Sequence, residues 1–259
     1  MQAKSLANIL LAALMLASCK AWVSPEESGA EFRSLSRDMY SSLLMPSCDN
    51  LKGFDRRDYL TGEASAIGNF EAQARTTPAW GHLVVAREDA RYEAIRDEHC
   101  WSDADRSWAQ RHVKMTKDKV LTTLPQLTAL IPLLGELHIE GEGDSAKMAE
   151  FRYLVREMLT DVTPQCRLTE SASVSDKEVL RPASDAVAHL KKELADTRFS
   201  VHFAIAEGDV AYRKSRTLVE CAPPSTADPK QVSLEIATET ARQIAALRAT
   251  VIVGRSGAS

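Results

Sequence analysis

The sequence is poor in the residues that mark special classes of protein. Aromatic residues make up only 6% of its 259 residues, and glycine and proline number only 11 and 10. These values exclude a collagen-like or low-complexity chain. The formal net charge is −4, so the chain has no excess of basic residues with which to bind nucleic acid or anionic lipid. After the first twenty residues, no apolar run is long enough to cross a membrane.

The common short motifs of catalysis are also missing. The sequence contains no Gly-x-Ser-x-Gly, His-Glu-x-x-His, phosphate-binding loop or dinucleotide-binding fingerprint. It has no Cys-x-x-Cys, and its one close Cys–His pair is the adjacent His99 and Cys100, which argues against a zinc site. These absences favour a protein without catalysis, metal or cofactor, but they do not exclude an enzyme.

What the sequence does contain is an internal repeat. Residues 30–39 (AEFRSLSRDM) and 149–158 (AEFRYLVREM) are identical at seven of ten positions. The correspondence continues at a nearly constant offset, as the following positions show. His82, Ala86, Asp89, Tyr92 and Cys100 correspond to His202, Ala206, Asp209, Tyr212 and Cys221, and Cys48 corresponds to Cys166. This pattern predicts one helical module written twice.

The first residues have the pattern of an export signal. Lys4 gives a positive start, and the apolar run from Leu6 to Leu16 is too short to span a bilayer. The run ends in Leu-Ala-Ser-Cys at 16–19, which resembles the lipobox of bacterial lipoproteins. The resemblance implies cleavage before Cys19 and lipidation of its thiol, so residues 1–18 are a signal peptide. Lys20 stands where an Asp would resemble an inner-membrane retention signal, which favours an outer-membrane anchor facing the periplasm.

Export changes how the remaining cysteines are interpreted. Without Cys19, an even number is left, and an oxidising compartment favours disulfides between them. Four cysteines allow three pairings, and the repeat selects the pairing that closes one loop within each copy: Cys48–Cys100 and Cys166–Cys221. Each bridge would close about fifty residues and stabilise the fold by roughly 3–4 kcal/mol in the chain-entropy model.

Helical periodicity and capping signals predict four helices in each copy. In the first copy Ser24 and Pro25 begin a helix that Pro46 ends, and Thr77 begins another. We expect further helices over about 55–76 and from Ser102, with kinks or breaks at Pro125 and Pro132. The second copy is predicted to have helices from about 149 to 162, 175–196, 199–219 and 229–253. Because Pro182 interrupts the second of these, its start could instead lie at Ser184.

These elements predict an all-α fold of two tandem four-helix bundle-like units, each with its own internal disulfide. The predicted divisions are as follows. Residues 1–18 are the signal peptide, 19–135 the first unit, 136–144 a linker, 145–253 the second unit and 254–259 a flexible tail. In an up-down-up-down bundle the first and third helices end at the same pole, which would bring each cysteine pair together. The units could be separate bundles or could share one core with pseudo-twofold symmetry.

Two sets of repeated polar residues are candidates for binding. His82, Asp89 and Tyr92 share one helical face, as do His202, Asp209 and Tyr212, and each stripe could bind a ligand or move protons. The structural alternative is a polar seam that fixes helix register inside each bundle. Arg33 and Arg37, with their counterparts Arg152 and Arg156, could form a basic strip for an acidic partner, a contact between units, or a solvated face with local ion pairs.

The sequence therefore predicts a lipid-anchored helical protein of the bacterial cell envelope that faces the periplasm. Its expected role is that of a binding or scaffold component without catalysis. Its expected partners are the membrane, through the lipid, and an envelope protein. The alternative is a small-ligand binder or enzyme that uses the His-Asp-Tyr stripes. Inhibition of a cell-wall enzyme is a third possibility that no particular residue supports.

Overall fold

The computed structural model describes residues 24–44, 56–96, 106–139, 145–162, 176–216 and 229–256. Most of the residues in these ranges are helical and none of them is in a β-strand, which confirms the all-α prediction. The helices of the first repeat are α1 (Pro25–Leu44), α2 (Arg56–Tyr59), α3 (Thr61–Ala74), α4 (Ala79–Arg96) and α5 (Arg106–Leu130), followed by a short 3-10 helix (Ile131–Leu133). Those of the second are α6 (Ser145–Val162), α7 (Asp176–Leu194), α8 (Phe199–Arg216) and α9 (Pro229–Ser256).

The helices begin at predicted capping residues, but two prolines that were expected to interrupt a helix lie inside one. Ser24 begins α1 as expected, since its Oγ accepts a hydrogen bond from the backbone N–H of Glu27 at 3.1 Å. Pro182 lies inside α7, so the alternative start at Ser184 is wrong. Pro125 likewise lies inside α5, and Pro132 falls in the 3-10 helix that follows it. A proline inside a helix removes one backbone hydrogen bond, a cost that the packing of the rest of the helix outweighs here.

The turn before the third long helix has the same structure in both repeats. Thr77 Oγ1 donates to the carbonyl of Ala74 at 2.8 Å and accepts from the N–H of Ala79 at 3.2 Å. Thr197 makes the same two bonds, to Leu194 at 2.8 Å and from Phe199 at 3.2 Å. One threonine therefore closes the end of one helix and caps the start of the next. The agreement supports the interpretation of the sequence as a duplication.

Four helices form a closed ring at the centre of the molecule. Within the repeats, α1 packs on α4 and α6 packs on α8, while between them α4 packs on α6 and α1 packs on α8. The remaining long helices lie outside this ring, with α5 against α1 and α9 against α6. Each repeat thus contributes its first and third long helices to the contact with the other.

Side-chain contacts give the directions of these helices. Arg33 near the start of α1 contacts His82 near the start of α4, and Tyr40 further along α1 shares the acceptor Glu71 Oε1 with Arg87 of α4. The two helices of a repeat therefore run the same way. Between repeats the order is reversed, because Asp209 lies beside Arg33, whereas the later residue Arg216 lies beside the earlier residue Glu31.

The apolar cores of the two repeats are separate, and the first repeat has a small additional cluster of Leu60, Ala109 and Val113. In the first, Phe32, Met39 and Leu83 are almost completely buried, and in the second Phe151 and Met158 are. The members of each cluster come from a single repeat. A fully buried side chain of this size stabilises the fold by about 1.5–3 kcal/mol. Of the two arrangements left open by the sequence, the structure has hydrophobic cores that are separate for the two repeats, and its shared centre is polar.

Several predictions concern residues outside the described ranges. They are the signal peptide with Cys19, the four cysteines of the predicted disulfides, most of the linker, and the end of the tail. None of the described helices is both long and apolar enough to cross a bilayer.

Candidate functional site

The repeated polar residues meet in one buried cluster between the repeats. All eight members are at most 6% exposed. The members of this polar cluster are Arg33, Arg37, His82, Asp89, Arg152, Arg156, His202 and Asp209. They lie on the facing sides of α1, α4, α6 and α8, because residues one or two turns apart share a helical face. The arginines therefore form the contact between units, and neither a solvated face nor an exposed basic strip.

The His and the Asp that share one helical face in each repeat contact different arginines. Arg33 donates from Nη1 to His82 Nδ1 at 2.9 Å and from Nε to Asp209 Oδ1 at 2.8 Å. His82 thus belongs with Asp209 of the other repeat and not with Asp89. The polar contacts therefore lie inside each repeat, between Arg33 and His82, and also extend to Asp209 of the other repeat.

The second repeat makes the reciprocal contacts. Arg152 donates from Nη1 to His202 Nδ1 at 3.0 Å and from Nε to Asp89 Oδ1 at 2.8 Å. A donor from each repeat thus meets an acceptor from the other, which is the pattern of a twofold contact. The pseudo-twofold symmetry considered from the sequence lies in this polar contact.

Both histidines are held in the neutral form. His82 Nε2 lies 3.1 Å from the carbonyl of Gly135, which can only accept, so Nε2 carries the proton and Nδ1 accepts from Arg33. Burial, followed by the charge of Arg33, lowers the pKa of His82 to about 4. Burial and the charge of Arg152 likewise lower the pKa of His202 to about 4. A neutral imidazole that accepts from a guanidinium serves as a structural acceptor and not as a base.

The carboxylate of Asp89 is held ionised by two arginines. Burial alone would raise the pKa of Asp89, but the charges of Arg152 and Arg156 together hold it below its usual value. Arg156 donates to Asp89 Oδ2 at 2.6 Å, so both oxygens of this carboxylate are hydrogen-bonded. Removing one partner from such a buried ion pair typically costs about 3–5 kcal/mol.

The tyrosines lie at the edge of the contact and not beside the histidines. The Tyr92 ring packs on Tyr153 of α6, with 5.6 Å between ring centres. Burial, then the charge of Glu150, raises the pKa of Tyr92, and burial with Glu31 does the same for Tyr212. The His-Asp-Tyr stripes therefore do not close into one ligand-binding triad.

Two further residues of the contact were missed in the sequence. Glu93 accepts from Arg156 Nη2 at 3.1 Å, and the corresponding position of the second repeat is Arg213. Burial raises the pKa of Glu93. Burial, then the charges of Arg37 and Arg156, lowers the pKa of Arg213, which places the three guanidiniums near one another. Their position, four residues after Asp89 and Asp209, is the signal that could have identified them.

The polar cluster has the composition of an interface and not of a metal centre. Within the described ranges, no three His, Cys, Asp or Glu side chains are grouped so as to hold a metal ion. No family model, curated protein or solved structure matches the chain. The chemistry of the site must therefore be judged from its own geometry.

Proposed function

We propose that this chain is a lipid-anchored, periplasm-facing helical protein of the bacterial cell envelope, with a scaffold or binding role and no catalysis. One observation supports the non-catalytic role most directly. The repeated His, Asp and Arg side chains, which are the best candidates for chemistry, are buried and occupied in holding the two repeats together. The lipobox-like sequence at 16–19 supports the anchor and the location.

Inhibition of lipoprotein processing tests the anchor. Globomycin should cause the unprocessed precursor to accumulate, and the mature protein should fractionate with the outer membrane. Cys19→Ser is the matched variant, because it removes the acceptor thiol and leaves the described helices unchanged. We expect that variant to lose membrane association. Normal maturation in globomycin, together with wild-type fractionation of Cys19→Ser, would contradict the proposal.

The scaffold role is tested by crosslinking in the native envelope. The wild-type protein should enrich a defined set of envelope partners that Cys19→Ser fails to enrich, because the variant is no longer held at the membrane. Turnover of a substrate by the purified protein would instead favour the alternative of an enzyme. If turnover were lost in His82→Gln and His202→Gln variants that remain folded, that alternative would be established.

We also infer that each repeat is a four-helix unit closed by its own disulfide, Cys48–Cys100 and Cys166–Cys221. The parallel course of α1 and α4 supports this pairing, because Leu44 and Arg96, after which the chain continues to the two cysteines, then end at the same pole. Non-reducing peptide mapping should find these two linkages. A Cys100–Cys166 linkage would overturn the assignment.

A further inference from the structure

One pole of the molecule holds the starts of α1 and α4 together with the chain that follows α5. A Cβ added at Gly135 would lie 3.6 Å from the side chain of Pro25, the first residue of α1. The carbonyl oxygen of Gly135 lies 3.1 Å from Nε2 of His82, and the carbonyl of Leu137 lies against the start of α4. We call the starts of these two helices, together with residues 131–139, the N-terminal pole.

The direction of α5 agrees with this placement. Thr116 of α5 donates to the carbonyl of Ser42, near the end of α1, at 3.2 Å. The later residue Lys119 lies 3.9 Å from the earlier residue Asp38, so α5 runs back along α1 and ends at the N-terminal pole. The ends of α1 and α4 form the opposite pole, where the apolar side chain of Ile95 is 71% exposed.

The proposed lipid attachment lies close to the N-terminal pole. Five peptide bonds separate Cys19 from Ser24, so the chain between them spans at most ~18 Å at ~3.6 Å per residue. Helix α1 has 20 residues and is therefore ~30 Å long at ~1.5 Å per residue. A bilayer that holds acyl chains at Cys19 thus lies within a distance of the N-terminal pole that is shorter than α1.

The N-terminal pole exposes apolar side chains beside this attachment point. Leu133 is 51% exposed, and Pro132 and Pro25 are exposed as well. Trp80 is partly exposed at the start of α4, and the guanidinium of Arg75 lies 5.3 Å from its ring centre. Tryptophan rings and basic side chains with long apolar stems are both suited to the boundary between a membrane and water.

Comparison of the two repeats shows that the tryptophan belongs to the pole beside the anchor. The position that corresponds to Trp80 in the second repeat is Ser200, at the start of α8. Because α8 runs antiparallel to α1, Ser200 lies at the opposite pole. The repeat whose third long helix begins next to the anchor therefore has the aromatic residue, and the other repeat has a polar one.

The charges of the N-terminal pole indicate which lipids it can contact. Glu26, Glu27 and Glu136 are all exposed there. The one histidine beside them is His138, whose Nε2 lies 3.1 Å from Glu136 Oε2. Acidic side chains are not attracted to an anionic membrane surface, so the charge of this pole favours zwitterionic lipid.

We propose that the N-terminal pole rests on the surface of a zwitterionic bilayer, with Leu133 and Trp80 at the level of the lipid head groups. The inference rests on the lipid anchor of the proposed function. Because the anchor keeps this pole beside the bilayer, a small apolar contact is enough to orient the protein. The opposite pole then faces the periplasm, where it is accessible to an envelope partner.

Dyes attached at the two poles test this orientation. Leu133→Cys and Ile95→Cys, each labelled with an environment-sensitive dye, are compared in the lipidated full-length mature protein on phosphatidylcholine vesicles. Lipids that carry a nitroxide on the head group should quench the dye at position 133 several-fold more than the dye at position 95. Equal quenching, or stronger quenching at position 95, would overturn the inference.

Flotation of the vesicles separates this inference from the anchor itself. Failure of the labelled protein to float with the vesicles would overturn the anchor and the orientation together. Flotation with equal quenching at both positions would overturn the orientation alone. Partial replacement of phosphatidylcholine by phosphatidylglycerol should leave the quenching at position 133 unchanged or lower it, and a marked increase would contradict the choice of zwitterionic lipid.

A substitution taken from the second repeat tests the contact of the tryptophan. Trp80→Ser should lower the quenching of the dye at position 133, because the pole then has less apolar surface to place at the head groups. Leu121→Ser, at a position in the middle of α5 that is 67% exposed, is the matched control and should leave the quenching unchanged. Wild-type quenching in a Trp80→Ser variant that keeps its helical circular dichroism would refute the role of Trp80. The comparison of positions 133 and 95 does not depend on the stability of this variant.

Discussion

The two halves of the polar cluster contain the same residues but are not equally satisfied. In one half, both oxygens of Asp89 are hydrogen-bonded, and Arg156 has two acidic partners. In the other, only Oδ1 of Asp209 is bonded, and Arg37 lies 3.9 Å from the free Oδ2. The residues that join the repeats are thus the same in both halves, while one turn further on Glu93 of the first repeat corresponds to Arg213 of the second.

Neutralising each aspartate in turn should give the largest difference between the halves. Asp89→Asn leaves two buried guanidiniums without their carboxylate, and we expect a loss of about 3–5 kcal/mol in the free energy of unfolding. Asp209→Asn should cost less, because that carboxylate makes fewer hydrogen bonds. Urea unfolding of the two variants measures both values.

The order of these two effects is the informative outcome. Equal losses would mean that Asp209 Oδ2 is bonded in solution as well as Asp89 Oδ2 is. A larger loss for Asp209→Asn would reverse the assignment of the well-bonded half.

Acid should lower the free energy of unfolding, because it protonates the histidines in both halves of the polar cluster. Their pKa of about 4 in the folded state lies below the usual 6.5, so the unfolded chain binds more protons between these values. The free energy of unfolding is therefore highest above about pH 6.5, where the histidines are neutral in both states, and it decreases as the pH falls towards 4. At 1.36 kcal/mol per pKa unit, each histidine accounts for about 3 kcal/mol at the acidic limit.

Substitution of the histidines separates their contribution to this pH dependence. Urea unfolding of His82→Gln and of His202→Gln at a series of pH values should each show about half of the wild-type loss between pH 6.5 and 4, and the double variant should show little. Below about pH 4 protonation of Asp89 adds a further loss, because its folded-state pKa is also lowered. Retention of the full wild-type loss in the double variant would exclude the histidines as its cause.

A smaller effect distinguishes the repeats at α4. A Cβ added at Gly81 would lie 2.1 Å from the carbonyl oxygen of Leu137, since residues 134–139 pass over the start of this helix. The corresponding residue of the second repeat is Val201. Gly81→Ala should therefore destabilise the fold by about 1–3 kcal/mol, because backbone atoms must move.

Gly68 provides the control within the same repeat. A Cβ added there meets no atom within 4 Å, so Gly68→Ala should raise the free energy of unfolding by roughly 0.5–1 kcal/mol through its better helix propensity. If both alanine variants were stabilising, residues 134–139 would not lie against α4 in solution.

Local signals in the sequence predicted the helices well, and the duplication pointed to the important polar residues. Ser24 and Thr77 were identified as helix starts because a side-chain oxygen can satisfy free N–H groups at a helix start. The alternative helix start at Ser184, inferred from Pro182, was wrong. The cost of a proline inside a helix can be outweighed by packing that local sequence does not reveal.

The partners of the repeated residues could not be predicted in the same way. Helical spacing places His82 and Asp89 on one face, but it does not specify which other helix that face meets. The same sequence is compatible with Arg–Asp pairs within each repeat and with Arg–Asp pairs between the repeats. Only the reversed order of α1 and α8 in space decides that Arg33 pairs with Asp209.

The reciprocal contact has a consequence for a single copy of the module. One repeat by itself carries both the guanidiniums and the carboxylate that the contact requires, together with its own apolar core. Such a surface is complementary to itself, so two separate polypeptides of one repeat each could assemble as a symmetric homodimer with the same centre. The tandem chain is in this sense a covalently linked dimer whose two copies can differ in sequence, as they do at Glu93 and Arg213.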